Sequence, residues 1–97
     1  MSAGRPLMLR TEQIREALSA ALNVNFIEVT DKSHLHVGHA GARSGMGHFH
    51  VRVVASEFQG LSLIKRHRLV YDAVGALMKT DIHALSIDAI SPDEQLD

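Results

Sequence analysis

The sequence predicts an α+β domain in the order α-β-β-α-β-(α), with helices packed on one small mixed sheet. Three observations predict it. Residues 14–22 and 64–78 place apolar side chains at three- and four-residue steps, the spacing of one helix face. Residues 25–30, 48–56 and 83–89 alternate apolar and polar side chains, the period of a strand with one buried face. The 97 residues contain no internal repeat and no linker, so they make one domain.

Residues 1–10 carry Ser, Gly and Pro without periodicity and are expected to form a loose tail, leaving 11–95 as the domain. Thr11 is the expected cap of the first helix, whose inward positions are Ile14, Ala17, Leu18, Ala21 and Leu22. Asn23, which tolerates the left-handed conformation, is expected to stop it. In the first strand Ile27 and Val29 point in, Glu28 and Thr30 out. From Asp31 to Gly47 the chain is rich in Gly, His and Ser, and a connection this long is often functional or mobile. In the second strand Phe49, Val51 and Val53 face one way, and His48, His50 and Arg52 face the other as surface residues.

Glu57 to Gly60 turns the chain into the long helix, with Ser62 as its cap. Ile64, His67, Val70, Tyr71, Val74, Leu77 and Met78 form the expected inward stripe of that helix. Lys65, Arg66 and Arg68 fall beside or opposite it, so both guanidiniums are expected outwards and the His67 imidazole towards the core. Gly75 is expected to weaken this helix without ending it. In the last strand His83, Leu85, Ile87 and Ala89 share one face, and Ala84, Ser86 and Asp88 the other. Ser91-Pro92-Asp93-Glu94 reads as the cap and first turn of a short final helix, with Pro at its first position.

Composition narrows the function. A net charge of −1 gives no global attraction to nucleic acid or anionic membrane, so any such attraction must be local. Seven histidines turn the balance basic near pH 6. With no cysteine there is no disulfide, no thiol catalysis and no self-sufficient Cys-ligated metal site, which fits a cytoplasmic setting. No run approaches the roughly 18 apolar residues of a membrane-spanning helix. No nucleophile, paired acid or phosphate-cradling glycine loop points to an enzyme.

The histidines carry the chemistry. His34, His36 and His39 stand close together in the long loop, and two such imidazoles can reach one metal. Their ordinary role is to solvate a polar loop. A zinc site built on them needs a fourth ligand, with Asp31 or His83 in reach of the idea. His83 opens a strand, where a hydrogen-bonded structural histidine is the ordinary case. It gains interest if the loop and that strand meet. Lys65, Arg66, His67 and Arg68 form a short basic segment, read either as a solvated helix face or as a docking surface for nucleic acid or an acidic partner.

Several motifs in order carry a family resemblance. They are Val29-Thr30-Asp31-Lys32-Ser33 before the His/Gly loop, Gly47-His48-Phe49-His50-Val51, Phe58-Gln59-Gly60, Arg66-His67-Arg68-Leu69-Val70-Tyr71, Ile82-His83-Ala84-Leu85-Ser86-Ile87 and Ser91-Pro92-Asp93-Glu94. Together they resemble BolA-like proteins over about 11–94. The resemblance implies a KH-like fold of the second class, with helices on a three-stranded mixed sheet. It also implies a heterodimer with a monothiol glutaredoxin around a [2Fe-2S] cluster shared with glutathione. There the strand-start ligand matches His83, and the loop ligand matches His36, with His39 a rival and His34 a weaker one. Imidazole can replace two thiolates of such a cluster, which tends to raise its potential, and neutral imidazoles make it pH-sensitive. Some BolA-like proteins resemble nucleic-acid-binding regulators instead, a role that Lys65, Arg66 and Arg68 would serve through phosphate contacts. The GXXG loop on which KH domains clamp a backbone is not evident here. The expected free state is a monomer or weak dimer.

Overall fold

A computed structural model of the chain describes residues 9–33 and 47–94. The expected tail, the loop histidines His34, His36 and His39, and residues 95–97 lie outside the described residues. The order is α1 (Arg10–Ala21), β1 (Val24–Asp31), β2 (Gly47–Ala55), a 3-10 turn (Ser56–Phe58), α2 (Leu63–Val74), α3 (Leu77–Thr80), β3 (Ile82–Ile90) and a closing 3-10 turn (Pro92–Glu94). The three strands form one sheet in the order β1-β2-β3, with β1 antiparallel and β3 parallel to β2. This is the α+β architecture with a mixed sheet that the pattern predicts.

The core lies between the helices and one face of this sheet. Ile14, Leu18 and Leu22 at α1, Val70 and Val74 of α2, and Phe58 pack with Phe49, Val51 and Val53 of β2 and with Leu85 and Ala89 of β3. Ile27 and Val29 of β1 pack against this cluster, as their alternation predicts. The other face stays open, apart from Phe26, Val54 and Ile90, which lie abreast in register, with Val54 buried.

Both ends of α1 depart from expectation. It begins at Arg10, before Thr11, and its N-cap Leu9 offers no side-chain bond. It ends at Ala21, and Leu22 turns the chain into extended conformation rather than Asn23 turning it left-handed. Instead, Asn23 donates its backbone N–H to the Glu57 carboxylate at 2.9 Å, which ties the helix end to the 3-10 turn. Satisfying that amide across the fold substitutes for a local stop signal.

The long helix differs in phase. Its buried residues are Arg66, Val70 and Val74, while Ile64 is 72% exposed, Tyr71 lies mostly outside the core and His67 is only half-buried. The buried line therefore runs at steps of four from Arg66, rotated from the predicted stripe. Arg66 is not held outwards. Its Nε donates to Leu61 O at 3.0 Å, and Nη1 donates to Ala89 O at 3.1 Å. The two terminal nitrogens grip the Glu94 carboxylate at 2.6 and 2.8 Å. Ala89 lies on β3, Glu94 in the closing turn and Leu61 just before α2, so a guanidinium can be buried with its donors satisfied.

Gly75 ends the helix rather than weakening it: its φ of +47° is open to glycine, and its N–H still closes onto Tyr71 O. Ser62 is the cap that was expected, its hydroxyl accepting from the Lys65 amide at 3.3 Å. Replacing it by alanine is expected to lower stability by about 1 kcal/mol in chemical denaturation, the usual worth of an N-cap, with an unchanged slope. Pro92 opens the final 3-10 turn as predicted, with the Ser91 amide donating to Glu94. Among the described residues no helix is long and apolar enough to cross a membrane.

Candidate functional site

The site forms at one corner of the sheet, where β2 and β3 both begin. Parallel pairing sets Gly47 beside Ile82, but the next pair is His48 with Ala84. His83 is thus one extra residue, a bulge in β3. The bulge resets the alternation: Ile82 and Leu85 both point into the core, and His83 is exposed. The sequence put His83 on the face of Leu85, Ile87 and Ala89, and the structure corrects this. Strict alternation cannot register an inserted residue.

His48 is the neighbour that the sequence missed as a site residue. Its ring centroid is 5.0 Å from that of His83, with the planes tilted by 46°. It is half-buried, and the next outward residue, His50, sets Nδ1 3.2 Å from Ser86 Oγ. Only the alternation signal bore on His48, and it marked the side chain as outward without saying what stands beside it.

The same corner gathers both ends of the long loop. His48 donates its backbone N–H to Ser33 Oγ at 3.0 Å, and Lys32 donates to His48 O at 2.8 Å. Gly47 donates to Asp81 O at 2.9 Å, two residues before His83. Ser33 also donates its own N–H to Asp31 Oδ1 at 2.8 Å. So the loop that carries His34, His36 and His39 starts beside His48 of β2 and finishes at Gly47, beside the start of the strand that carries His83. Among the described residues no group of three or more His, Asp or Glu side chains is arranged to hold a metal ion. The corner offers one exposed imidazole and a second one packed against it.

The basic segment divides. Lys65 and Arg68 are exposed on α2, whereas Arg66 is spent inside the fold on Glu94 and two carbonyls, and so drops out as a docking cation.

The family model for BolA-like protein matches residues 18–94. The chain belongs to the BolA-like family. A solved structure of the BolA domain of SufE1 from Arabidopsis thaliana superposes with a TM-score of 0.79 at 44% identity, covering 93% of this chain and all of that one. SufE-like protein 1, chloroplastic/mitochondrial, from the same plant is 46% identical over 88% of this chain. DNA-binding transcriptional regulator BolA of Escherichia coli (strain K12) is 38% identical over 82% of this chain and 73% of its own. The BolA-like chain spans only 24% of SufE-like protein 1 and 55% of Protein BOLA1, chloroplastic.

Proposed function

We propose that this BolA-like chain is a non-enzymatic adaptor that pairs with a monothiol glutaredoxin and completes a [2Fe-2S] cluster shared with glutathione. The observation that carries the reading is His83 standing exposed on a bulge where both ends of the histidine loop are fastened. The donor set fits such a group. A chain without cysteine cannot hold a cluster by itself, but an exposed imidazole can finish one whose thiolates come from elsewhere. The resemblance places the family's loop ligand three residues after the serine, here Ser33, so it favours His36, with His39 a rival and His34 a weaker one. When bound, the cluster supplies a one-electron centre whose potential imidazole ligation raises. The protein's part is to present His83 and the loop. Its role is in cluster trafficking or iron sensing, in a reducing, cytoplasmic setting.

The test is visible absorption and circular dichroism of a reconstitution mixture of this protein, a monothiol glutaredoxin, glutathione, iron and sulfide. A spectrum distinct from that of the glutaredoxin homodimer is expected. A spectrum that never departs from the homodimer's would sink the adaptor reading.

A second reading, nucleic-acid binding, is favoured by the name of the Escherichia coli relative and by the exposure of Lys65 and Arg68. With Arg66 removed from the set, two cations remain on this helix. Their loss should then flatten the dependence of log affinity on log salt by a slope of about 2 on duplex DNA. Binding that ignores Lys65→Ala and Arg68→Ala would exclude this surface.

A further inference from the structure

We infer that His48 is a positioning residue that holds the His83 imidazole in its outward orientation and couples it to the base of the histidine loop. The inference rests on the adaptor reading for its functional meaning, but its physical basis is local. His83 is the extra residue of a bulge, so ladder pairing does not aim its side chain, and an exposed imidazole by itself samples several rotamers. The ring contact with His48 at 5.0 Å supplies the missing constraint.

His48 is well placed to impose it. Its backbone is pinned on both sides, through Ser33 Oγ at the amide and Lys32 at the carbonyl. Its Nε2 is buried from solvent, so the ring is held by its surroundings. A ring fixed in this way is suited to supporting the exposed His83 imidazole. Gly47 makes the arrangement possible. A Cβ there would stand 2.6 Å from Ser33 Oγ and 2.7 Å from the Phe49 ring, so only glycine lets Ser33 reach the His48 amide. Ser33 stands two residues past the end of β1, where the chain enters the loop. A displacement at the loop base is thereby passed through one hydrogen bond to His48, and through one ring contact to His83. Outer partners that hydrogen-bond metal-binding histidines commonly change affinity 10- to 100-fold when removed, and a ring contact that fixes the rotamer is expected near the lower end of that range.

The experiment compares wild type, His48→Ala, His48→Phe, Ser33→Ala and His83→Ala. Three-bond couplings report the His83 χ1 rotamer in the chain alone, and visible circular dichroism follows formation of the mixed cluster with a monothiol glutaredoxin and glutathione. His48→Ala is expected to average the His83 rotamer and to raise the concentration needed for half-formation about 10-fold. His48→Phe keeps a packed ring without a ligand nitrogen and should restore both. Ser33→Ala should fall between, and it carries the test if His48→Ala does not fold. An unchanged His83 rotamer with an unchanged titration in His48→Ala overturns the inference. Failure of His48→Phe to form the cluster while its His83 rotamer stays fixed also overturns it, by making His48 a ligand. If wild type gives no mixed spectrum, or His83→Ala leaves it unchanged, the adaptor reading fails, and the rotamer comparison alone decides the role of His48.

Discussion

Arg66→Ala is expected to destabilise the domain by about 2–4 kcal/mol, with thermal unfolding lowered by roughly 10–25 °C. Arg66 is 6% exposed, and its guanidinium binds the Ala89 carbonyl, the Leu61 carbonyl and both oxygens of Glu94. Glu94 contributes less to the loss than the short distances suggest. Its side chain is 48% exposed, so water replaces the guanidinium there. The buried Ala89 carbonyl has no such recourse, and an unsatisfied buried acceptor costs about 1–3 kcal/mol. The cavity left by the aliphatic stem adds to that. Arg66→Lys keeps the charge but loses the fork that serves four acceptor atoms, so it should fall between wild type and alanine. A shift of less than about 3 °C in Arg66→Ala would show that the clamp is not a main support of the closing turn.

The same clamp sets a pH dependence. The Arg66 hydrogen bonds, helped by the Ser91 amide, lower the Glu94 carboxyl to about 2, from an ordinary 4.5. A carboxyl whose folded-state value is depressed contributes stability above its unfolded value and loses it as pH falls through the folded one. Its contribution is therefore complete above about pH 4.5 and disappears between there and about pH 2. Denaturation midpoints of wild type and Glu94→Gln should converge across that window. Parallel curves would show that Glu94 is not held by Arg66 in solution.

His83→Ala has the largest expected effect on function: loss of the mixed-cluster spectrum and return to that of the glutaredoxin homodimer, with folding unchanged. The second half follows from exposure. An outward bulge residue contributes little packing, and surface substitutions of this kind usually change stability by less than about 0.5 kcal/mol. The first half follows from the proposed adaptor role, in which His83 is one of the four ligands a cluster wants and alanine cannot take its place. Far-ultraviolet circular dichroism and the thermal midpoint should match wild type. A His83→Ala protein that still gives the mixed spectrum would remove His83 from the cluster, and would turn attention to the loop histidines alone.

Much of the fold was legible because its signals are local and periodic. Alternation in Phe49-His50-Val51-Arg52-Val53 is the direct imprint of a half-buried strand, and β2 became one. The cap at Ser62 was readable because it needs only a hydroxyl three residues before an amide. His83 became a candidate through the family pattern, whereas its neighbourhood could not be read from the sequence. Gly75 was misread because the sign of φ is not written in periodicity.

What the sequence determined by itself is therefore the order of the strands and long helices, the apolar faces of β1 and β2, the absence of any thiol ligand and the presence of histidines at the loop and at the start of β3. Only the tertiary structure decided which way α2 turns its faces, because the partners that make burial of Arg66 favourable come from β3 and the closing turn. Only the tertiary structure decided that His83 points outward and meets His48, because a bulge is a property of two strands in register. Local pattern encodes how one segment buries its own surface. Where a polar side chain goes depends on acceptors and neighbours far away in the chain, and those exist only once the segments have packed.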